Sequence, residues 1–281
     1  MFFHTIIRSF LLASTAHAYW KGFNLGATLP SGACKTQADW AKDFQVLASL
    51  PGHFTSARVY AASDCNTLAT AVPAAVAAGT SLLVGVWTED GAHYDAEKAA
   101  LLAAVQQHGF DWMVAVSVGS EDLYRGDTSA ETLASQINDV RGMLWSVGAG
   151  AIKVGHVDTW TAWVNPANNA VITASDFIGT DGYPYFQDAS INDGYNVFWQ
   201  SVTDVGSMVA QVKPGTPIWI TETGWPVGGG AMGAAMPSVN NAHMYWESVA
   251  CMYISGSFLP FLLTLLVLGL VSRDTKNFEI S

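Results

Sequence analysis

Short apolar runs alternate with amphipathic stretches of helical spacing along most of the chain. The apolar runs predict strands at Phe23–Leu29, Ala57–Ala61, Leu82–Trp87, Trp112–Val118, Ile152–Val157, Phe177–Asp181 and Ile218–Thr221. Between them the pattern changes to a helical period. Trp40, Phe44, Leu47 and Leu50 line one face of a helix over Thr36–Leu50, which Pro51-Gly52 stops. An alanine-rich helix runs through about Ala78, with Gly79 at its C-cap. Further helices are predicted over Asp95–His108, over Ser129–Val147 (Leu133, Ile137, Val140 and Leu144 on one face), over Asn168–Ala174 and Asn192–Val212, and from Ser238 to about Met252.

Strict strand–helix alternation implies parallel strands joined by right-handed crossovers. Seven such units over about 250 residues fit an α/β (β/α)8 TIM barrel better than a doubly wound sheet. No Gly-x-Gly-x-x-Gly turn follows any strand, which weakens a dinucleotide-binding reading. The eighth unit is expected to be incomplete or aberrant, because the sequence changes character after about residue 253.

Two of the predicted strands end in a carboxylate. Ile218-Trp-Ile-Thr runs into Glu222, with Trp225 between the chain-stopping Gly224 and Pro226, and Trp112–Val118 leads through Gly119-Ser120 to Glu121. The C-terminal strand ends of a barrel carry its chemistry. Other residues just past the strands are Tyr60 and Asp64, Trp87, Asp158 with Trp160, and Tyr183 with Tyr185. Carboxylates and large aromatics on one rim suit an oligosaccharide cleft, where rings stack on sugar faces and two carboxyl groups cleave the glycosidic bond. Glu121 and Glu222 are the candidate pair, with Tyr183 as a hydroxyl donor to one of them. Asp122 adjoins Glu121 but on a strand points the other way. His156 and His108 have no nucleophilic Ser or Cys motif beside them and read as structural histidines.

Composition narrows the choice of partner. Of 281 residues half are hydrophobic and 12% charged, ample for one large core. A formal charge of −11 argues against nucleic acid. Arg8, the apolar Phe10–Ala13 and the small-x-small Ala16-His17-Ala18 form a secretory signal over residues 1–18. The three cysteines, Cys34, Cys65 and Cys251, leave one unpaired or paired elsewhere in an oxidising compartment. No CxxC or His/Cys cluster exists, so no zinc site is expected. No Asn-x-Ser/Thr sequon occurs.

From about Phe23 to Cys251 the chain resembles glycoside hydrolase family 17, most of all its fungal cell-wall branch of β-1,3-glucanases and glucanosyltransferases. The resemblance is carried by Val59-Tyr-Ala-Ala-Ser-Asp-Cys-Asn-Thr-Leu68, Val84-Gly-Val-Trp87, His93-Tyr94 with Ala96–Leu101, Val118-Gly-Ser-Glu-Asp-Leu-Tyr-Arg125, Ile137–Arg141 and Glu222-Thr-Gly-Trp-Pro226. It implies a (β/α)8 barrel that retains configuration at the anomeric carbon of β-1,3-glucan. Glu121 is implied as acid/base and Glu222 as nucleophile, with no metal or cofactor, in a secreted, cell-wall, monomeric protein. It also leaves Cys34 and Cys65 to pair with each other, while Cys251 lacks the partner of the family's C-terminal cysteine. Ser120 stands where many relatives in the wider superfamily carry Asn, which puts the usual hydrogen bond to the sugar 2-hydroxyl in doubt.

The barrel is expected over residues 19–253 and a divergent tail over 254–281. From Ser248 to Ser272 there is no charge, a length sufficient to span a bilayer, and a charged tail follows from Arg273. Three readings compete for the 254–272 segment: a membrane anchor, a lipid-anchor signal, against which the charged tail argues, and a truncated or mis-joined end. The third is preferred, since an anchor should follow a finished domain, and in that case the tail's Leu and Val residues offer an improvised eighth strand in which Pro260 fits poorly. Two functional classes follow. One is a hydrolase or glucanosyltransferase acting on β-1,3-glucan. The other is a non-catalytic glucan-binding wall protein with an open barrel.

Overall fold

The computed structural model describes residues 20–52, 54–89, 91–251 and 263–268, the last as backbone. The signal segment 1–18 and the tail residues other than 263–268 lie outside the described residues, as does the question of an anchor there.

Eight strands form a closed ring in chain order. They are β1 (Trp20–Asn24), β2 (Ser56–Val59), β3 (Ser81–Val86), β4 (Met113–Ser120), β5 (Lys153–Thr159), β6 (Ile178–Asp181), β7 (Ile218–Glu222) and β8 (Leu263–Leu268). Every pairing is parallel. The helices are α1 (Gln37–Ser49), α2 (Thr67–Ala78), α3 (Gly91–His108), a single turn α4 (Asp122–Arg125), α5 (Ala130–Ser146), α6 (Trp160–Trp163), α7 (Asn169–Ala174), α8 (Gly194–Val212) and α9 (Val239–Tyr245), the last continuing into a π turn over Trp246–Ala250.

Local chemistry explains the helix starts. Thr36 and Asp39 form a reciprocal capping box on α1, and Ser129 caps α5 through the Thr132 N–H. The predicted apolar faces are the buried ones: Trp40, Phe44 and Leu47 on α1, and Leu133, Ile137, Val140 and Leu144 on α5. Alternation along the strands divides the core in two. Ala57, Val59, Leu82, Val84, Val116, Val118, Val154 and Ile220 pack with the helices. Leu83, Ala115, Phe177 and Trp219 form a separate cluster, with Phe177 and Trp219 stacked at 4.0 Å.

Two boundaries differ from expectation. The first strand is Trp20–Asn24 rather than Phe23–Leu29. At Gly22 a Cβ would overlap the Ser56 carbonyl, so β1 approaches β2 here too closely for any side chain. After Asn24 the chain turns out into a loop that Thr28 and Cys34 close by an antiparallel bridge. The second difference is at the C-terminal end. Leu263–Leu268 pairs with β1 (Trp20↔Leu265 to Phe23↔Leu268) and with β7 (Ile218↔Leu263, Ile220↔Leu266), with one register shift against β7. The barrel therefore extends past residue 253. Part of the apolar run set against a bilayer instead completes the ring, satisfying strand edges on β1 and β7 that would otherwise stay open. Among the described residues no helix is long and apolar enough to cross a membrane.

Candidate active site

Glu222 ends β7 at the cleft with its side chain nearly buried, 2% exposed. Arg58 Nη1 donates to Glu222 Oε1 at 2.5 Å and the Tyr183 hydroxyl donates to Oε2 at 2.9 Å. A buried carboxylate requires such partners, because an unpaired charge in the interior is costly. Arg58 is itself 1% exposed. Its Nη2 donates to Ser120 Oγ at 3.0 Å, and its guanidinium lies 4.6 Å from the Tyr60 ring centre. Burial works most strongly against the guanidinium's charge, but Glu222, Tyr60 and Asp181 together more than offset it, and Arg58 stays above its ordinary value.

Glu121 follows β4 in a strained conformation. Its φ of 59° lies in the left-handed region, as does the 75° of Gly119, and the β4–β5 register shifts between Ser117 and Ser120. At Gly119 a Cβ would collide with the Asp122 carboxylate, so only glycine fits. The Glu121 N–H donates to Val157 O at 2.9 Å, and its carboxylate lies 3.6 Å from Arg125 Nη1. Arg125 Nη2 also holds Ser120 O at 2.6 Å. Burial first, then the negative charges of Glu222 and Asp158, push the Glu121 carboxyl up to about 7, against the pull of Arg125 and Arg58.

Carboxylate oxygens of Glu121, Glu222 and a third acid, Asp181, lie within 4.8 Å of one another. Burial and the Glu222 charge raise Asp181 well above the usual carboxylate range, and Thr221 Oγ1 donates to it at 2.7 Å. The pair opens into a cleft of about 420 Å³ whose walls include Leu25, Thr28, Tyr60, Asp64, Trp87 and Arg125.

Of the rim residues read from the sequence, Tyr60, Asp64 and Trp87 line this cleft. Tyr183 reaches Glu222 directly. The other four do not form its wall. Asp158 is fully buried and spends its oxygens on His156, the Leu123 N–H and the Thr159 N–H. Tyr185 and Trp225 are buried against each other with centroids 5.6 Å apart, and donate to the Gly230 and Met236 carbonyls. Trp160 is half-buried against the core. Asp158 is still within β5 and faces the interior, while Trp160, Tyr185 and Trp225 follow strand ends but are carried inward to pack. A disulfide joins Cys34 to Cys65, tying the β1–α1 loop to the turn that presents Asp64, while Cys251 is free and exposed. His156 is fully buried with both ring nitrogens engaged, and His108 lies in the last turn of α3.

Arg58, Asp181, Arg125 and Glu97 were not singled out. The first had a visible signal: a charge inside an apolar strand, two residues before Tyr60 and therefore on its face. Glu97 is fully buried in α3 and accepts the N–H groups of Ala62 (2.6 Å), Ser63 (2.7 Å) and Trp87 (3.1 Å). It thereby fixes two cleft loops. With Asp64 and His93 it makes the other compact acid/imidazole group among the described residues, and its oxygens are already committed to backbone.

A (β/α)8 barrel with two glutamates facing each other at the C-terminal ends of β4 and β7 has the architecture of a glycoside hydrolase. The chain belongs to that class: the family model of the BtgE/BtgC glycoside hydrolase domain matches residues 22–262, within glycoside hydrolase family 17. A probable glucan endo-1,3-beta-glucosidase, eglC, of Aspergillus oryzae is 41% identical over 263 residues, covering 86% of this chain and 56% of the relative. The chain thus spans little more than half the length of that relative. The glucan 1,3-beta-glucosidase of Saccharomyces cerevisiae is 38% identical over 237 residues, covering 82% of this chain and 75% of the relative. Among solved structures, the family 17 beta-1,3-glucanosyltransferase of Rhizomucor miehei superposes with a TM-score of 0.74 at 27% identity, covering 88% of this chain and 85% of the other. An active-site mutant of the Rhizomucor enzyme has been solved with laminaritriose.

Proposed function

We propose that the protein is a secreted cell-wall enzyme that cleaves β-1,3-glucan with retention of configuration, Glu222 acting as nucleophile and Glu121 as acid/base. One observation carries the reading. The two carboxylates approach within 4.8 Å, too close to seat the attacking water that inverting enzymes place across about 6.5–9.5 Å. The relatives' names supply the substrate class.

In the first step Glu222 attacks the anomeric carbon as Glu121 gives its proton to the departing glycosidic oxygen. The C–O bond breaks and a glycosyl ester forms on Glu222. In the second step Glu121, now a carboxylate, takes a proton from water or from a sugar hydroxyl that attacks the same carbon, and Glu222 leaves. Arg58 and Tyr183 direct three donors in all toward Glu222 and Ser120. The two bonds to Glu222 hold its oxygens in place. Arg58 donates to Ser120 Oγ and so orients it, leaving the hydroxyl proton of a side chain shorter than Asn to meet the sugar 2-hydroxyl.

Incubation with a laminari-oligosaccharide, with product lengths read by mass spectrometry, tests the proposal. Shorter products mean hydrolysis and longer ones transfer. The Glu222→Gln variant should bind glucan without processing it. Wild-type turnover by that variant overturns the nucleophile assignment. The open barrel that had favoured a non-catalytic glucan binder is replaced by a ring with a paired eighth strand, so no observation favours that alternative.

A further inference from the structure

Nothing in the local sequence makes a left-handed backbone favourable for Glu121. A non-glycine residue there carries strain and persists only where its surroundings hold it. Three consecutive residues of β5 supply that hold. The His156 Nδ1–H donates to Val118 O at 2.7 Å. The Val157 carbonyl accepts the Glu121 N–H at 2.9 Å. Asp158 Oδ2 accepts the Leu123 N–H at 2.9 Å. The strained residue is therefore pinned directly, and again on either side.

His156 and Asp158 are joined to each other, Nε2 to Oδ2 at 2.9 Å, with both side chains fully buried. The proton count of this pair is constrained. A carbonyl only accepts, so Nδ1 carries a proton. Asp158 Oδ2 also accepts from Leu123, and an ionised carboxylate there takes a second proton from Nε2. With Asp158 ionised His156 is an imidazolium, and its bond to Val118 needs the Nδ1 proton. Its surroundings favour the charge: Asp158 on β5 and Asp122 at the start of α4 are both negative neighbours, and the Trp163 ring of α6 meets it edge-on at 5.6 Å. Asp122 in turn accepts from the Thr88 hydroxyl of the β3–α3 loop and feels the charge of Arg125.

We propose that His156 is a positioning residue for glycosidic cleavage, holding the Val118–Leu123 segment so that Glu121 presents its carboxyl to the departing oxygen. The inference rests on the reading of Glu121 as the acid. A histidine that merely filled the core would matter to stability alone. The bonds of this one end on backbone atoms flanking the strained acid. Without them the segment is free to relax, and a misplacement of about 1 Å at a reacting group costs on the order of a hundredfold in rate.

The test uses leaving-group dependence. His156→Phe, which keeps the ring packing, and His156→Gln, which keeps one donor, are compared with wild type by kcat/KM on a laminari-oligosaccharide and on a 2,4-dinitrophenyl β-laminaribioside. The second leaving group needs no protonation. The expected result is a loss of roughly tenfold or more on the oligosaccharide and a change of less than about threefold on the aryl glycoside. Equal losses on both substrates, or no loss in folded protein, overturn the proposal. Glu121→Gln is the control. If it fails to show the same split, the acid assignment falls. If it shows the split and the His156 variants do not, only the positioning role falls. A second readout needs no substitution: in wild-type protein carrying ¹⁵N-histidine, the His156 Nδ1 should hold its proton across the working pH range. An Nδ1 without its proton, which the bond to Val118 requires, overturns the proposal.

Discussion

Arg58 Nη1 lies 2.5 Å from Glu222 Oε1, with both side chains closed off from solvent. The two residues are on β2 and β7, 164 positions apart in the chain. Removing one member of such a buried pair leaves the other charge uncompensated, at a cost of about 3–5 kcal/mol. Arg58→Met should therefore lower the melting temperature by many degrees and also reduce kcat, since Glu222 loses a fixing donor. Arg58→Lys keeps a charge but loses the fork that joins Glu222 to Ser120, and should fall between the two. Thermal melts alongside oligosaccharide kinetics check both effects. A folded Arg58→Met with unchanged kcat would refute them.

The acid must hold its proton to work, so kcat/KM should fall as pH rises through about 7, the value to which burial and neighbouring carboxylates bring Glu121. Arg125 pulls in the opposite direction. Its replacement by Met removes a cation that favours ionised Glu121, so the alkaline limb should move to higher pH. A limb that moves to lower pH in that variant contradicts the assignment.

Stability should also depend on pH with a definite sign. His156 is held above its ordinary value by Asp158 even though burial opposes the charge, so its contribution is fully present below about 6.5 and lost as pH rises through its raised value. Glu121, Asp122 and Asp181 are also raised, chiefly by burial, so the folded state binds their protons more tightly and loses stability over the range above ordinary carboxylate values. Asp39 and Asp139 are lowered by their hydrogen-bond partners, and what they contribute is lost only in strong acid. The melting temperature should therefore decline as pH goes from about 5 to 8. A melting temperature that rises over that interval refutes the linkage.

The Cys34–Cys65 disulfide closes a loop of sequence separation 31 and anchors the turn bearing Asp64 at the cleft. Replacing both cysteines with serine should destabilise the protein by about 2–4 kcal/mol. It should also raise KM more than it lowers kcat, because the loop shapes the cleft wall and holds neither glutamate. Kinetics on laminari-oligosaccharides of increasing length measure the split.

Most of the fold was legible in the order of apolar periods. A run such as Leu82–Trp87 followed by a helical pattern needs little context, because a strand with both faces covered must be apolar throughout. The first strand was misplaced by a few residues. Its register depends on how closely Gly22 meets Ser56, and that contact is distant in sequence. The closing strand was readable only as one alternative among several for the apolar tail. A chargeless run such as Leu263–Leu268 has the same composition whether it faces lipid or two neighbouring strands, and only the free edges of β1 and β7 distinguish the two.

The site divides along the same line. Glu121, Glu222, Tyr183 and the cleft residues Tyr60, Asp64 and Trp87 were readable because a parallel barrel brings its strand ends to one rim by construction. Residue type and position along the chain determined that much. Which rim residues face the cleft, and which turn back to pack as Asp158, Tyr185 and Trp225 do, was decided by side-chain contacts between segments that share no sequence neighbourhood. The same holds for the charges. That Arg58 meets Glu222, that Asp181 joins the pair, and that Glu121 keeps its proton to about 7 all follow from burial and from distances across the ring. Electrostatic coupling depends on separation in space, and the linear chain does not contain that quantity.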